Sequence, residues 1–178
     1  FVSSCDYKSS LIYEKIDLNS DLNELSGLEF FDSKLLTHND SGFDNILFVS
    51  KLDNIKFKKI KINHTNNIDW EDICLDNEFI YLADVGNNYA FRKDLKIYKI
   101  SKNFKLVDSI KISYALQNNF ENKPKNKFDA EAIISYKNNL ILFSKNRIDN
   151  ESFIYQIPKD VNNISLSPID KVTFKGLI

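Results

Sequence analysis

The sequence predicts an all-β protein, and three features carry that prediction. Short runs of alternating apolar and polar residues recur along almost the whole chain: LIYEKIDL, KLLTH, NILFVSK, KFKKIKI, EFIYLADV, LKIYKIS, LVDSIKIS, NLILFSK, SFIYQIP and DKVTF. This period of two places successive side chains on opposite faces of a strand, and no helical spacing is sustained between the runs. The composition, 43% hydrophobic and 13% aromatic over 178 residues, is that of a chain able to bury a sizeable core.

The runs also recur as a group. SGLEFFDSKLLTHNDSG from Ser26, EDICLDNEFIYLADVGNN from Glu71 and EAIISYKNNLILFSKNR from Glu131 each place a short apolar strand, a turn and a second apolar strand in the same order. The second strand ends in polar residues near Asp40, Asp84 and Ser144, and two further strand-like runs follow before the next copy. Leu36, Leu82 and Leu142 mark matching places, at intervals of 46 and 60 residues. QNNFENKPKNK, a polar stretch containing Pro124, reads as an inserted loop that lengthens the second interval. Four antiparallel strands in about 40 to 50 residues is the size of a β-propeller blade. The expected fold is therefore a β-propeller of which this chain carries about three blades, near 24–66, 67–116 and 127–178, within a partial domain over 23–178. A two-sheet β-sandwich is the alternative for the same strands.

The first 22 residues read differently. Val2-Ser3-Ser4-Cys5 fits a bacterial lipobox, with Cys5 as the lipidated residue and the residues before it as the tail of a signal peptide. A polar tether, DYKSS, follows, and then LIYEKIDL, which reads as a strand able to complete the last blade of a ring. No apolar run reaches the roughly 18 residues of a membrane helix, so the expected membrane contact is through lipid alone, on the outer side of a bacterial membrane. Cys74 sits in an apolar run and reads as a small core residue. A net charge of -1, from 24 basic and 25 acidic residues, supplies no field that would gather nucleic acid.

In a propeller the first strand of each blade lines the central channel, so like positions in successive copies converge on one axis. Glu71 and Glu131 open the second and third copies, and Asp40, Asp84 and Asn88 close the paired strands. Carboxylate and amide oxygens around one mouth are hard ligands for Ca²⁺ or Mg²⁺, with Glu71, Asp84 and Glu131 as the expected metal ligands. Plain turn chemistry is the other reading of Asp84, Asn87 and Asn88. Only two of the basic residues are arginines, Arg92 and Arg147. Each follows the end of a second strand, where it serves either an anionic ligand, together with Asp40 and Asn88, or a structural salt bridge. Trp70 reads as a packed wedge between blades. His38 and His64 are isolated and offer no zinc site. Ser26, Ser41 and Ser144 have no histidine at a defined partner position, and no glycine-rich phosphate loop or metalloprotease motif is present.

Taken together, WEDI at Trp70–Ile73, YLADVGNN with Arg92 downstream, IYKI at Ile97–Ile100, and FDAEAI with FSKNR resemble a family of secreted or lipid-anchored bacterial β-propeller proteins. The chain is more distantly similar to the phytase-like and SdiA-regulated propellers. The resemblance spans roughly 24–147 and implies Glu71, Asp84, Asn88, Arg92 and Glu131 as the polar cluster. It implies a cell-envelope location, and because no catalytic base can be named from the sequence, the expected role is a module that binds a small ligand or an envelope protein. Where such families include enzymes, it implies a central Ca²⁺ and hydrolysis of esters, lactones or phosphoesters. A fatty-acid label should enter the full-length protein when it is expressed in a bacterium, and label persisting in a Cys5→Ser variant would contradict the lipobox reading.

Overall fold

The computed structural model describes residues 17, 18 and 20–175, and Cys5 with most of the LIYEKIDL run lies outside the described residues. The architecture is all-β: three sheets built around antiparallel strands, with a single 3₁₀ turn at Ser20–Leu22 among the described residues. The first sheet contains β1 (Leu25–Phe31), β2 (Lys34–Asn39), β3 (Ile46–Lys51) and β4 (Asn54–Lys61) in chain order. Asp32 and Ser33, both at positive φ, make the two-residue turn between β1 and β2 that suits the twist of a hairpin. The second sheet contains β5 (Trp70–Leu75), β6 (Phe79–Asp84), β7 (Lys96–Ser101) and β8 (Leu106–Tyr114). The third contains β9 (Asp129–Tyr136), β10 (Asn139–Lys145), β11 (Glu151–Pro158) and, at its edge, β13 (Asp170–Thr173).

One strand departs from the expected division. β12 (Asn163–Leu166) falls in the span assigned to the third unit, yet it pairs in parallel with β8 and adds a fifth strand to the second sheet. The apolar Leu166 of this strand is buried in the core between the second and third sheets, which gives the crossover its driving force.

Two apolar cores hold the sheets in order. Leu36, Leu47 and Ile62 of the first sheet and its flank meet Trp70, Ile73, Ile80 and Leu82 of the second. Tyr81, Ala83, Ile97 and Ile110 on the opposite face of the second sheet meet Ile133, Leu140, Leu142 and Tyr155 of the third. The three leucines that the spacing aligns therefore do not face alike. Leu82 and Leu142 each turn toward the preceding sheet, whereas Leu36 turns toward the following one. All three pair at the same place, the second pair past the bulge of the first strand, with Glu29, Ile73 and Ile133, so the difference lies in which face the first sheet turns inward. The outward faces of the first and third sheets retain exposed apolar residues, Leu28 and Phe30 on one and Ile134 and Tyr136 on the other. The layering fits a stacked sandwich as well as a radial arrangement.

The first strands of the three sheets are neighbours: β5 contacts both β1 and β9. Ser26 Oγ donates to the Glu71 carbonyl at 2.5 Å, and the Ile133 N–H donates to Asp72 Oδ2 at 2.8 Å. Trp70 wedges into the core between the first two sheets, fully buried, edge-on to His38 and Tyr98, with its indole N–H on the Asn66 carbonyl at 2.9 Å. Replacing a buried tryptophan leaves a large cavity, so Trp70→Ala should lower stability by about 3–5 kcal/mol in urea unfolding, and a loss under about 1 kcal/mol would contradict its packing role.

Candidate metal centre

The site begins with irregularities in the three neighbouring strands. In β5, Trp70 pairs with Asp84 and Asp72 with Ala83, which leaves Glu71 as an extra, unpaired residue. In β9, Ala130 pairs with Ser144 and Ala132 with Phe143, which leaves Glu131 in the same position. Such a bulge turns the extra side chain out of the regular alternation. β1 has its own bulge, at Gly27. There φ is +59°, and a Cβ would lie 2.7 Å from His38 Nε2 and 3.0 Å from the Ile73 nitrogen, so this bulge carries no side chain.

Glu71 and Glu131 converge, and three further acids join them. Oxygens of Asp40, Asp69 and Glu71 lie within 4.8 Å of one another, and so do oxygens of Glu71, Asp129 and Glu131. Glu71 belongs to both groups. The backbone of the DVGNN segment passes directly over it: a Cβ on Gly86 would collide with Glu71 Oε1 and with the Asp69 carboxylate, so only glycine fits there.

Polar partners fix the surrounding acids. Asp129, fully buried, accepts from the Asn87 N–H at 2.7 Å and from Arg147 Nε at 2.7 Å. Asn88 donates to Asp69 Oδ2 at 3.4 Å and accepts from Arg147 Nη2. Glu131 is partly exposed and faces Lys145 Nζ at 3.3 Å and Arg147 Nη2 at 3.6 Å. Asp40 Oδ1 accepts from the Ser41 N–H at 2.7 Å. The Glu71 carboxylate, by contrast, receives no hydrogen bond or ion pair from any described residue, although Glu71 is only 7% exposed.

Glu71, Asp69 and Asp129 resist ionisation. Burial, reinforced by Glu131 and Asp69, pushes the Glu71 carboxyl up to about 10. Burial and the nearby Asp40 raise Asp69 to about 6, and burial with Glu131 raises Asp129 to about 6 against the pull of the Asn87 and Arg147 bonds. Two carboxylates less than 4.8 Å apart repel by about 3–4 kcal/mol or more at an effective dielectric near 20. A multivalent cation among them removes that repulsion, and the donor set, oxygen only, suits a hard ion.

Of the expected metal ligands, Glu71 and Glu131 lie in one acidic group, Asp40 of the expected ligand contacts lies beside Glu71, and Asn88 and Arg147 stand at their edge. Two expectations are corrected. Asp84 is not grouped with the other acids: it is fully buried, with Oδ1 held by Arg92 Nη2 at 2.9 Å and by the Asp69 N–H at 3.1 Å. Arg92 is 7% exposed and divides its guanidinium among Asp84, the Gly86 carbonyl and Asp94, so it anchors the DVGNN turn instead of meeting a ligand. Asn87 likewise serves the turn, bonding the Arg92 N–H and the Phe128 carbonyl. Asp69 and Asp129 are the members that sequence reasoning missed. The signal was present as a shared D-x-E, Asp69-Trp70-Glu71 and Asp129-Ala130-Glu131, with each bulged glutamate two residues after an aspartate.

The raised acids make stability fall as pH rises. From their ordinary value near 3.8 to about 6, Asp69 and Asp129 bind more protons folded than unfolded, so the slope of unfolding free energy with pH is negative across that window. Glu71 extends the effect toward pH 10. The metal-free chain should therefore show a urea midpoint that drops from pH 4.5 to 7, with a shallower drop in Asp69→Asn; an unchanged slope in that variant would contradict the assignment. Compared with known proteins, the chain matches no protein-family model and no curated protein.

Proposed function

We propose that this chain is part of a bacterial cell-envelope β-propeller whose adjoining first strands hold a divalent cation, Ca²⁺, at the channel mouth, and that it acts as a module binding a small ligand or an envelope protein. The observation that carries the reading is the Glu71 carboxylate, nearly buried, without a hydrogen-bond partner among the described residues, and surrounded by four other acids. Ca²⁺ accepts six to eight oxygens at about 2.3–2.6 Å in flexible geometry, so oxygens spread over nearly 5 Å can share it; Mg²⁺ demands a tighter octahedron. The propeller is supported by the side-by-side first strands and by the apolar residues left exposed on the outward faces, where further sheets would pack. The envelope location rests on the VSSC stretch ending at Cys5.

A Ca²⁺-dependent hydrolase of esters, lactones or phosphoesters is the second reading. It needs a group to stabilise developing negative charge, and the arginine best suited by sequence, Arg92, is already taken by Asp84 and the Gly86 carbonyl. Arg147, with a side chain 28% exposed beside Glu131, keeps the hydrolase testable. Calorimetry with Ca²⁺ on chelator-treated protein should show saturable binding that falls at least tenfold in Glu71→Gln. Absence of binding would sink the cation reading, and metal-dependent turnover of an ester, lactone or phosphoester, lost in the same variant, would replace the module with the enzyme.

A further inference from the structure

The five acids do not form one shell. Asp40 and Asp69 approach Glu71 as one group, Asp129 and Glu131 approach it as another, and only Glu71 is common to both. We propose that the centre holds a pair of divalent cations bridged by the Glu71 carboxylate, one bound by Asp40 and Asp69 and the other by Asp129 and Glu131. The inference rests on the cation reading given above and goes beyond it in number and arrangement.

Three observations support the pair. Each group's oxygens lie within 4.8 Å of one another, the spread that fits on a single ion with metal–oxygen distances near 2.4 Å. The groups also come from different elements: Asp40 follows β2 and Asp69 precedes β5, whereas Asp129 and Glu131 belong to β9. The first sheet thus brings Asp40, the second Asp69 and the third Asp129 and Glu131 to one shared side chain. The third observation is the state of Glu71 itself. Each of the other four carboxylates has a partner: the Ser41 N–H for Asp40, Asn88 for Asp69, the Asn87 N–H and Arg147 for Asp129, and Lys145 and Arg147 for Glu131. Glu71 is 7% exposed, and both of its oxygens are left without a donor among the described residues. A carboxylate without a donor has two oxygens available to cations. The bulge at Glu71 turns its side chain out of the strand alternation, and the bare Gly86 backbone leaves room for its carboxylate. The partly exposed Asp40 and Glu131 flank it as the outer ligands, each reachable from solvent.

The test is stoichiometry on the 178-residue chain. Chelator-treated protein titrated with Ca²⁺ in a calorimeter should bind two ions per chain. Asp40→Asn should retain one, Glu131→Gln should retain one, and Glu71→Gln should weaken both by at least tenfold. Asp40 and Glu131 are not core residues, so these two variants keep the test valid if Glu71→Gln fails to fold. Mn²⁺ used as a probe should give an exchange-coupled spin-resonance spectrum in the parent chain and an isolated six-line spectrum in Asp40→Asn. One ion per chain at saturation would overturn the pair while leaving the cation reading intact. No ion at all would sink both. Two ions that titrate independently, with only one lost in Glu71→Gln, would overturn the bridging role.

Discussion

The second sheet buries both of its faces, with Ile73, Ile80 and Leu82 turned to the first sheet and Tyr81, Ala83 and Ile97 turned to the third. The remaining architecture follows from this. A strand such as β6, buried along most of its length, cannot present a solvated side, so a sheet must lie on each side of it. Stacking the sheets in chain order then makes β1, β5 and β9 neighbours, and the same stacking recruits β12 to the edge of β8. Far from the acids, Lys159 fastens the third sheet to the second, donating to Asp76 at 2.8 Å, to Ser135 at 2.7 Å and to the Lys137 carbonyl at 2.9 Å. Tyr81 adds its hydroxyl to the same Asp76 carboxylate at 3.0 Å.

Against that apolar frame, the acids at the adjoining strand starts are an electrostatic cost. Burial alone disfavours their charged forms, and their proximity adds repulsion. The surroundings offset part of this. Arg147 reaches Asp129 and Asn88, Arg92 neutralises Asp84, and the backbone N–H groups of Asn87 and Asp69 are each spent on a carboxylate. Only Glu71 is left out of this compensation. Two of the buried polar atoms that lack a partner among the described residues, His38 Nε2 and Asp84 Oδ2, belong to the same neighbourhood of second-strand ends. Polar groups kept unpaired at this density contribute little to stability, and it is their chemistry that accounts for them.

The two arginines show how one residue type divides into two roles. Both follow a second strand, and both reach an aspartate. Arg92 is buried in its own sheet and ties the turn that carries Gly86 past Glu71. Arg147 remains partly exposed and crosses to Asn88, so it links the second and third sheets at the edge of the acidic group. Adjacent residues around β5 divide in the same way. Trp70 enters the core, Glu71 enters the acidic site, and Asp72 bonds to the Ile133 N–H of the next strand.

Local patterning alone determined the strands, the grouping of their runs, the burial of Trp70 and Cys74, and the candidacy of Asp40, Glu71 and Glu131. Alternation and turn chemistry are properties of neighbouring residues, so they can be read without a fold. Tertiary structure decided the faces and the partners. Leu36 holds the same place in its hairpin as Leu82 and Leu142 yet turns toward the opposite neighbour, and which face of a sheet is covered is set by packing against distant strands. It also decided that Asp84 would be held by Arg92 while Asp69 and Asp129, two residues ahead of the bulged glutamates, would join the site. Whether an acid is neutralised or left exposed to its like depends on how far away the nearest cation and carboxylate lie in space, and sequence spacing does not encode that distance.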